Sequence, residues 1–158
     1  MNVALRPLRD GDDAALLAIH IGAIMAVSDE FYDLPMRQSW AHGLTEEGYG
    51  RARAAGEVFT VAVDGDDRPI GFCGRGPTQI LGLYVAAGQQ GRGIGSALLG
   101  HGESKLVALG VTTSRLISSL SAVEFYRAHG YRLTGHGSDV SRGGLLMAHA
   151  YLEKPLLP

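Results

Sequence analysis

Val3 to Leu8 alternates apolar and polar positions ahead of the acidic turn Asp10-Gly11-Asp12-Asp13, a pattern that predicts an edge strand feeding a capped helix. Ala14, Leu17, Ile21 and Ile24 then recur at helical spacing. Between Ser28 and Gly56 the apolar residues Phe31, Tyr32, Leu34, Trp40 and Leu44 are interrupted by Pro35 and several glycines, which predicts short helices joined by turns. Val58 to Val63 is rich in β-branched and aromatic residues. With the turn Asp64-Gly65-Asp66-Asp67 and a second extended run from Pro69 to Gly74 it predicts a hairpin. A third apolar run, Ile80 to Val85, ends at Gly88-Gln89-Gln90-Gly91-Arg92-Gly93-Ile94-Gly95, after which Ala97, Leu98, His101, Lys105 and Leu109 return to helical spacing. Beyond Gly110 the pattern predicts a strand from Val111 to Ile117, a helix from Ser121 to His129, and closing strands Tyr131 to Gly137 and Leu145 to Glu153 around Ser141-Arg142-Gly143-Gly144. Alternating strands and helices, without an internal repeat or linker, predict a single α/β domain spanning residues 1–158, a mixed sheet flanked by helices.

Composition narrows the function classes. With 158 residues, 46% hydrophobic and 19% charged, the chain can bury one full core. A net charge of -2, from 14 basic and 16 acidic residues spread along the chain, offers no basic stripe for a phosphate backbone, so no nucleic-acid partner is expected. The lone Cys73 excludes an internal disulfide and a multi-cysteine zinc site. The six histidines show no His-x-x-x-His spacing, so no metal is expected either. No apolar run approaches the roughly 20 residues of a membrane span, and the expectation is a cytoplasmic protein with no membrane partner.

Glycine is the informative excess: eleven of the 23 fall between Gly65 and Gly102. A helix that starts just after a strand presents unpaired backbone N–H groups and a partial positive charge, which suits a phosphate. Gly91, Gly93 and Gly95 remove the Cβ atoms that would block its approach, and Arg92 can add a charged contact. Two familiar phosphate loops are excluded. A Walker A loop needs Lys-Ser or Lys-Thr where Ile94-Gly95 stands. A dinucleotide fingerprint needs glycine or alanine where Ser96 stands.

Gln90-Gly91-Arg92-Gly93-Ile94-Gly95, following Leu83-Tyr84-Val85, resembles the pyrophosphate signature Gln/Arg-x-x-Gly-x-Gly/Ala of the GCN5-related N-acetyltransferase (GNAT) family. Ser121-Ala122-Val123-Glu124-Phe125-Tyr126-Arg127-Ala128-His129-Gly130-Tyr131 is similar to that family's later helix, which ends Phe-Tyr-x-x-x-Gly-Phe. The resemblance covers roughly Val58 to Glu153. It implies a mostly antiparallel central sheet of about seven strands with about four helices, and acetyl-CoA as co-substrate. It further implies that Leu83, Tyr84 and Val85 pair with the pantetheine arm, that the N–H groups from Gln90 to Ser96, including Arg92 and Ile94, hold the pyrophosphate, and that Ala122, Phe125 and Tyr126 face the cofactor from the other side. Ser119 stands where family members often carry an asparagine that contacts the pantetheine. The strand Gln79 to Leu83 lacks the acidic base that some relatives place there.

Acetyl transfer to an amine needs an oxyanion donor, for which the resemblance implies the Val85 N–H, and a proton for the departing thiolate. A phenol near pKa 10 is protonated at neutral pH, and Tyr126 is the candidate general acid or, on an amphipathic helix with Ala122, Phe125 and His129 nearby, simply a core tyrosine. Glu30, Asp33, Glu46 and Glu47 are candidate bases that a solvated face explains equally well. Phe31, Tyr32 and Trp40 are candidate walls of an acceptor pocket or simply core. The expectation is an N-acetyltransferase acting by direct transfer in a ternary complex on a small-molecule or peptide amine. The rival is a non-catalytic acyl-CoA sensor. Cys73, in a strand with no evident base, does not suit a covalent carrier. No sequence feature decides for or against a homodimer.

Overall fold

The computed structural model describes residues 3–157. Along the chain run β1 (Ala4–Pro7), α1 (Asp13–Met25), α2 (Leu34–Ala41), α3 (Glu47–Ala54), β2 (Val58–Val63), β3 (Pro69–Arg75), β4 (Ile80–Val85), α4 (Ile94–Ala108), β5 (Thr113–Ser119), a 3-10 turn, α5 (Val123–Ala128), β6 (Arg132–Val140) and β7 (Leu146–Pro155). The strands form two antiparallel sheets, β1-β2-β3-β4 and β5-β7-β6.

Period-two alternation divides the core. On β2, Phe59, Val61 and Val63 join Phe72 of β3 under Leu16 and Ile19 of α1 and Tyr49 of α3. Ala62 and Cys73 point to the opposite face, where Ile94, Leu98, Leu99 and Leu106 of α4 pack with Leu116, Tyr126 and Leu152. Fully burying one such leucine contributes about 1.5–3 kcal/mol, so α4 is anchored along its length although Gly100 and Gly102 interrupt its middle.

Those glycines behave differently. A Cβ on Gly100 would meet nothing within 4 Å, whereas one on Gly102 would lie 2.7 Å from the Ile80 Cδ1. Gly102 therefore lets α4 settle against β4, and the propensity it forfeits is recovered in packing.

The observed elements follow the hydrophobic pattern with several departures, among them the first helix, whose N-cap Asp12 makes no side-chain capping bond, and the helix read from Ser121, which is α-helical only from Val123. Helix α1 is apolar nearly all round, and of the stripe through Ala14, Leu17, Ile21 and Ile24 only Ile24 is fully buried, joined by Leu16 and Ile19 from outside it. Burial there is chosen by the sheet, because the sequence offers hydrophobic residues on every side. Strand β5 begins at Thr113, because Val111 closes the end of α4 by donating its N–H to the Leu106 carbonyl at 3.0 Å. Five α-helices form, α2 and α3 both arising from the segment read as short helices joined by turns. No helix among the described residues is long and apolar enough to cross a membrane.

Candidate active site

The site begins where the sheet fails to close. Ala86 donates its N–H to the Ile70 carbonyl at 2.9 Å, so the even-numbered residues of β4 direct their backbone polar groups at β3. Alternation then turns the N–H and C=O groups of Leu83 and Val85 away from β3 and toward β5. Because β4 and β5 do not pair, that edge opens into a cleft of about 720 Å³.

The glycine loop forms one end of the cleft. Gly91 and Gly93 adopt φ of 78° and 80°, a region that costs most other residues 1 kcal/mol or more, and Gly93 is the N-cap of α4. No side chain caps this helix, which leaves its first-turn N–H groups directed at the cleft. Gly95 brings the backbone close to α5: a Cβ there would lie 3.1 Å from the Phe125 Cε1.

Helix α5 supplies the facing wall, and its end explains the Tyr-x-x-x-Gly-Tyr spacing. The Tyr131 N–H donates to the Tyr126 carbonyl and the Gly130 N–H to the Arg127 carbonyl, each at 3.1 Å, with Gly130 at φ 91°. This is a Schellman cap, and the rings of Tyr126 and Tyr131 make its hydrophobic contact at 5.5 Å. The cap holds Tyr126 buried at the cleft wall. Burial pushes its phenol well above the ordinary tyrosine range, with the neighbouring Cys73, Tyr84 and Tyr131 adding to the effect, so it stays protonated.

Every residue that the two motifs implicated for the cofactor lines this one cleft except Arg92, whose side chain is exposed. The structure thus brings Leu83, Tyr84, Val85, Gln90, Gly91, Gly93, Ile94, Gly95, Ser96, Ser119, Ala122, Phe125 and Tyr126 together from three separate stretches. The sequence profile of the acetyltransferase (GNAT) domain matches residues 55–133, from the approach to β2 into β6.

The chain belongs to the GNAT acetyltransferase family.

Its fold superposes on a GCN5-related N-acetyltransferase from Rhodopseudomonas palustris with a TM-score of 0.91 at 27% identity, covering 99% of this chain and 97% of that one. A phosphinothricin acetyltransferase from Sinorhizobium meliloti, solved with acetyl-CoA, gives a TM-score of 0.74 at 20% identity over 99% of this chain and 89% of that one. The PaiA N-acetyltransferase from Thermoplasma acidophilum, solved with coenzyme A, gives 0.75 at 20% identity over 98% and 99%. No curated protein sequence matches the chain.

The GNAT cleft contains groups that the motifs did not announce. His129 donates Nδ1–H to the Phe125 carbonyl at 2.7 Å, which leaves Nε2 as the acceptor of the Ser96 hydroxyl at 2.8 Å. Both side chains line the cleft beside the first turn of α4. Only the approach of α4 to α5 reveals the pair. Phe31 and Trp40 line the far end of the cleft, whereas Tyr32 does not. Its hydroxyl donates to the Ala148 carbonyl at 2.6 Å and accepts from the Leu120 N–H at 2.8 Å, a tie between the α1–α2 connection and the second sheet.

Among the described residues, no Asp, Glu, Lys or Arg lines the cleft. Asp33 is spent as the N-cap of α2, accepting from the Met36 N–H at 3.0 Å, while Glu46 and Glu47 open α3 and Glu30 is exposed. None of the four candidate bases reaches the site. Cys73 is buried away from the cleft, and burial pushes its thiol up to about 12, which leaves it unreactive as a nucleophile. No group of three or more His, Cys, Asp or Glu able to hold a metal ion is present among the described residues.

Proposed function

We propose that this GNAT protein transfers the acetyl group of acetyl-CoA directly to an amine bound in the same cleft. One observation carries the reading: the unpaired β4 edge, the uncapped N-terminus of α4 and the Tyr126 phenol all line one continuous cleft. These groups fit the co-substrate, since a strand edge suits its amide-bearing arm and a glycine-lined helix start suits its diphosphate. When bound, acetyl-CoA supplies an activated thioester.

The chain's own groups then divide the work. The N–H groups from Gln90 to Ser96 hold the diphosphate, and the free polar groups of Leu83 and Val85 align the arm in the place of an eighth strand. The Val85 N–H donates to the carbonyl oxygen as charge develops on it. Tyr126 supplies the proton for sulfur. Burial that penalises the phenolate also penalises a thiolate in the same cleft, so the transfer stays matched although the phenol lies above its ordinary range. A purely cofactor-sensing protein has no need of room beyond Tyr126, and the extension of the cleft to Phe31 and Trp40 favours the enzyme.

Tyr126→Phe tests the assignment. Thiol release measured with acetyl-CoA and an amine panel should fall by roughly 10²- to 10⁴-fold in kcat, with coenzyme A binding by calorimetry unchanged. A loss of less than threefold in kcat would remove Tyr126 from the acid role.

A further inference from the structure

We infer that the acceptor is an uncharged, weakly basic amine with an apolar or aromatic body, of the arylamine class, rather than an ammonium-bearing polyamine, aminoglycoside or lysine side chain. The inference rests on the acetyltransferase reading above and concerns the end of the cleft beyond Tyr126. From α1, α2 and their connection the cleft is lined by Ala23, Ala26, Val27, Ser28, Phe31 and Trp40, with the paired Ser119 and Ser121 hydroxyls also in the lining. Trp40 is held edge-on by Tyr32 at 5.7 Å, and Tyr32 is fixed through both functions of its hydroxyl, so the aromatic wall is preorganised.

Charge decides the class. An ammonium group entering a desolvated cleft needs a carboxylate, and none of the described lining residues provides one. The one ionisable imidazole in the lining, His129, is engaged with Ser96 and the Phe125 carbonyl at the diphosphate end.

Proton balance agrees. An alkylamine with a pKa of about 10.4 is neutral in only about one molecule in 2,500 at pH 7, so the enzyme would have to remove a proton before attack. No carboxylate is placed to do that. A weakly basic amine is already neutral: its nitrogen forms the new bond to the carbonyl carbon, the carbon–sulfur bond breaks, and the one N–H proton released equals the one sulfur takes up. Tyr126 can pass it by giving its own proton to sulfur and recovering one from nitrogen, directly or through water.

The test compares an arylamine series with size-matched alkylamines at pH 7, using acetyl-CoA-dependent thiol release, alongside calorimetry with coenzyme A. The expected result is coenzyme A binding, with kcat/KM for arylamines at least tenfold above that for alkylamines. Phe31→Glu, at a half-exposed position that tolerates charge, should shift the ratio toward the alkylamine by about tenfold, the effect of one compensating charge worth about 1.4 kcal/mol. Faster transfer to alkylamines by the unaltered enzyme, or an unchanged ratio in Phe31→Glu, overturns the acceptor class while leaving the acetyltransferase intact. Coenzyme A binding with no transfer to any amine overturns both readings.

Discussion

Alanine at Gly100 and alanine at Gly102, two positions apart on α4, should move stability in opposite directions. At Gly100 the new methyl meets nothing within 4 Å, so only the helical preference of alanine acts, a gain of about 0.5–1 kcal/mol. At Gly102 the same preference is opposed by a Cβ placed 2.7 Å from the Ile80 Cδ1 and 3.6 Å from the Cys73 Sγ. Carbon atoms rest about 3.5–4.0 Å apart, so roughly 1 Å must be found, and Ile80 at 3% exposure has no solvent to swing into. Overpacking of this kind costs about 1–3 kcal/mol, which leaves a net loss of roughly 0–2.5 kcal/mol after the propensity gain. Urea unfolding measures both variants, and a thermal melt should separate them by several degrees at roughly 2–4 °C per kcal/mol. Ile80→Val removes the offending Cδ1. It costs about 0.5–1.5 kcal/mol alone, and combined with Gly102→Ala it should fall short of the sum by at least about 0.5 kcal/mol. Because β4 carries the open edge and α4 the glycine loop, Gly102→Ala should also weaken coenzyme A binding, whereas Gly100→Ala should not. Strict additivity with Ile80→Val, or equal stability of the two alanine variants, would refute the packing argument.

Three further outcomes follow from the geometry. His129→Phe keeps a ring against Phe125 but loses the Nε2 acceptor, so KM for acetyl-CoA should rise by roughly 2- to 12-fold, the worth of one hydrogen bond, with kcat within about twofold; an unchanged KM would show that orienting Ser96 contributes nothing. Burial lowers His20 to about 4, with Arg142 adding to the effect, so between pH 6.5 and 4 the unfolded chain binds the proton that the folded chain refuses. Stability should fall as pH drops through that window, and His20→Gln should flatten the slope in pH-dependent urea midpoints; identical slopes would exclude His20 as the source. Cys73 should resist a thiol reagent at pH 8 in the folded protein and react at once in urea, and fast labelling without denaturant would contradict its burial.

Much of the fold was legible in the chain because its cues are local. The β-branched and aromatic run from Val58 to Val63, the aspartate-rich hairpin turn and the change of period across the glycine loop each act within a few residues, and each produced the element it announced. The motif residues could be read for the same reason: a helix start that approaches a diphosphate needs glycine at fixed offsets, and a Schellman cap needs Gly130 at one position after Tyr126. What the sequence could not rank was the choice among equivalent options. Helix α1 carries apolar residues all round, and the sheet alone selected Leu16 and Ile19 over Ala14, Leu17 and Ile21 for burial. Four acidic residues were equal candidates for a base until folding carried all of them away from the cleft. Ser96 and His129, 33 residues apart, meet only because α4 and α5 face each other across the unpaired strands. Local order follows from backbone geometry and periodicity, whereas the charge and depth of a cleft depend on residues distant in the chain, and their placement exists only once the layers have packed.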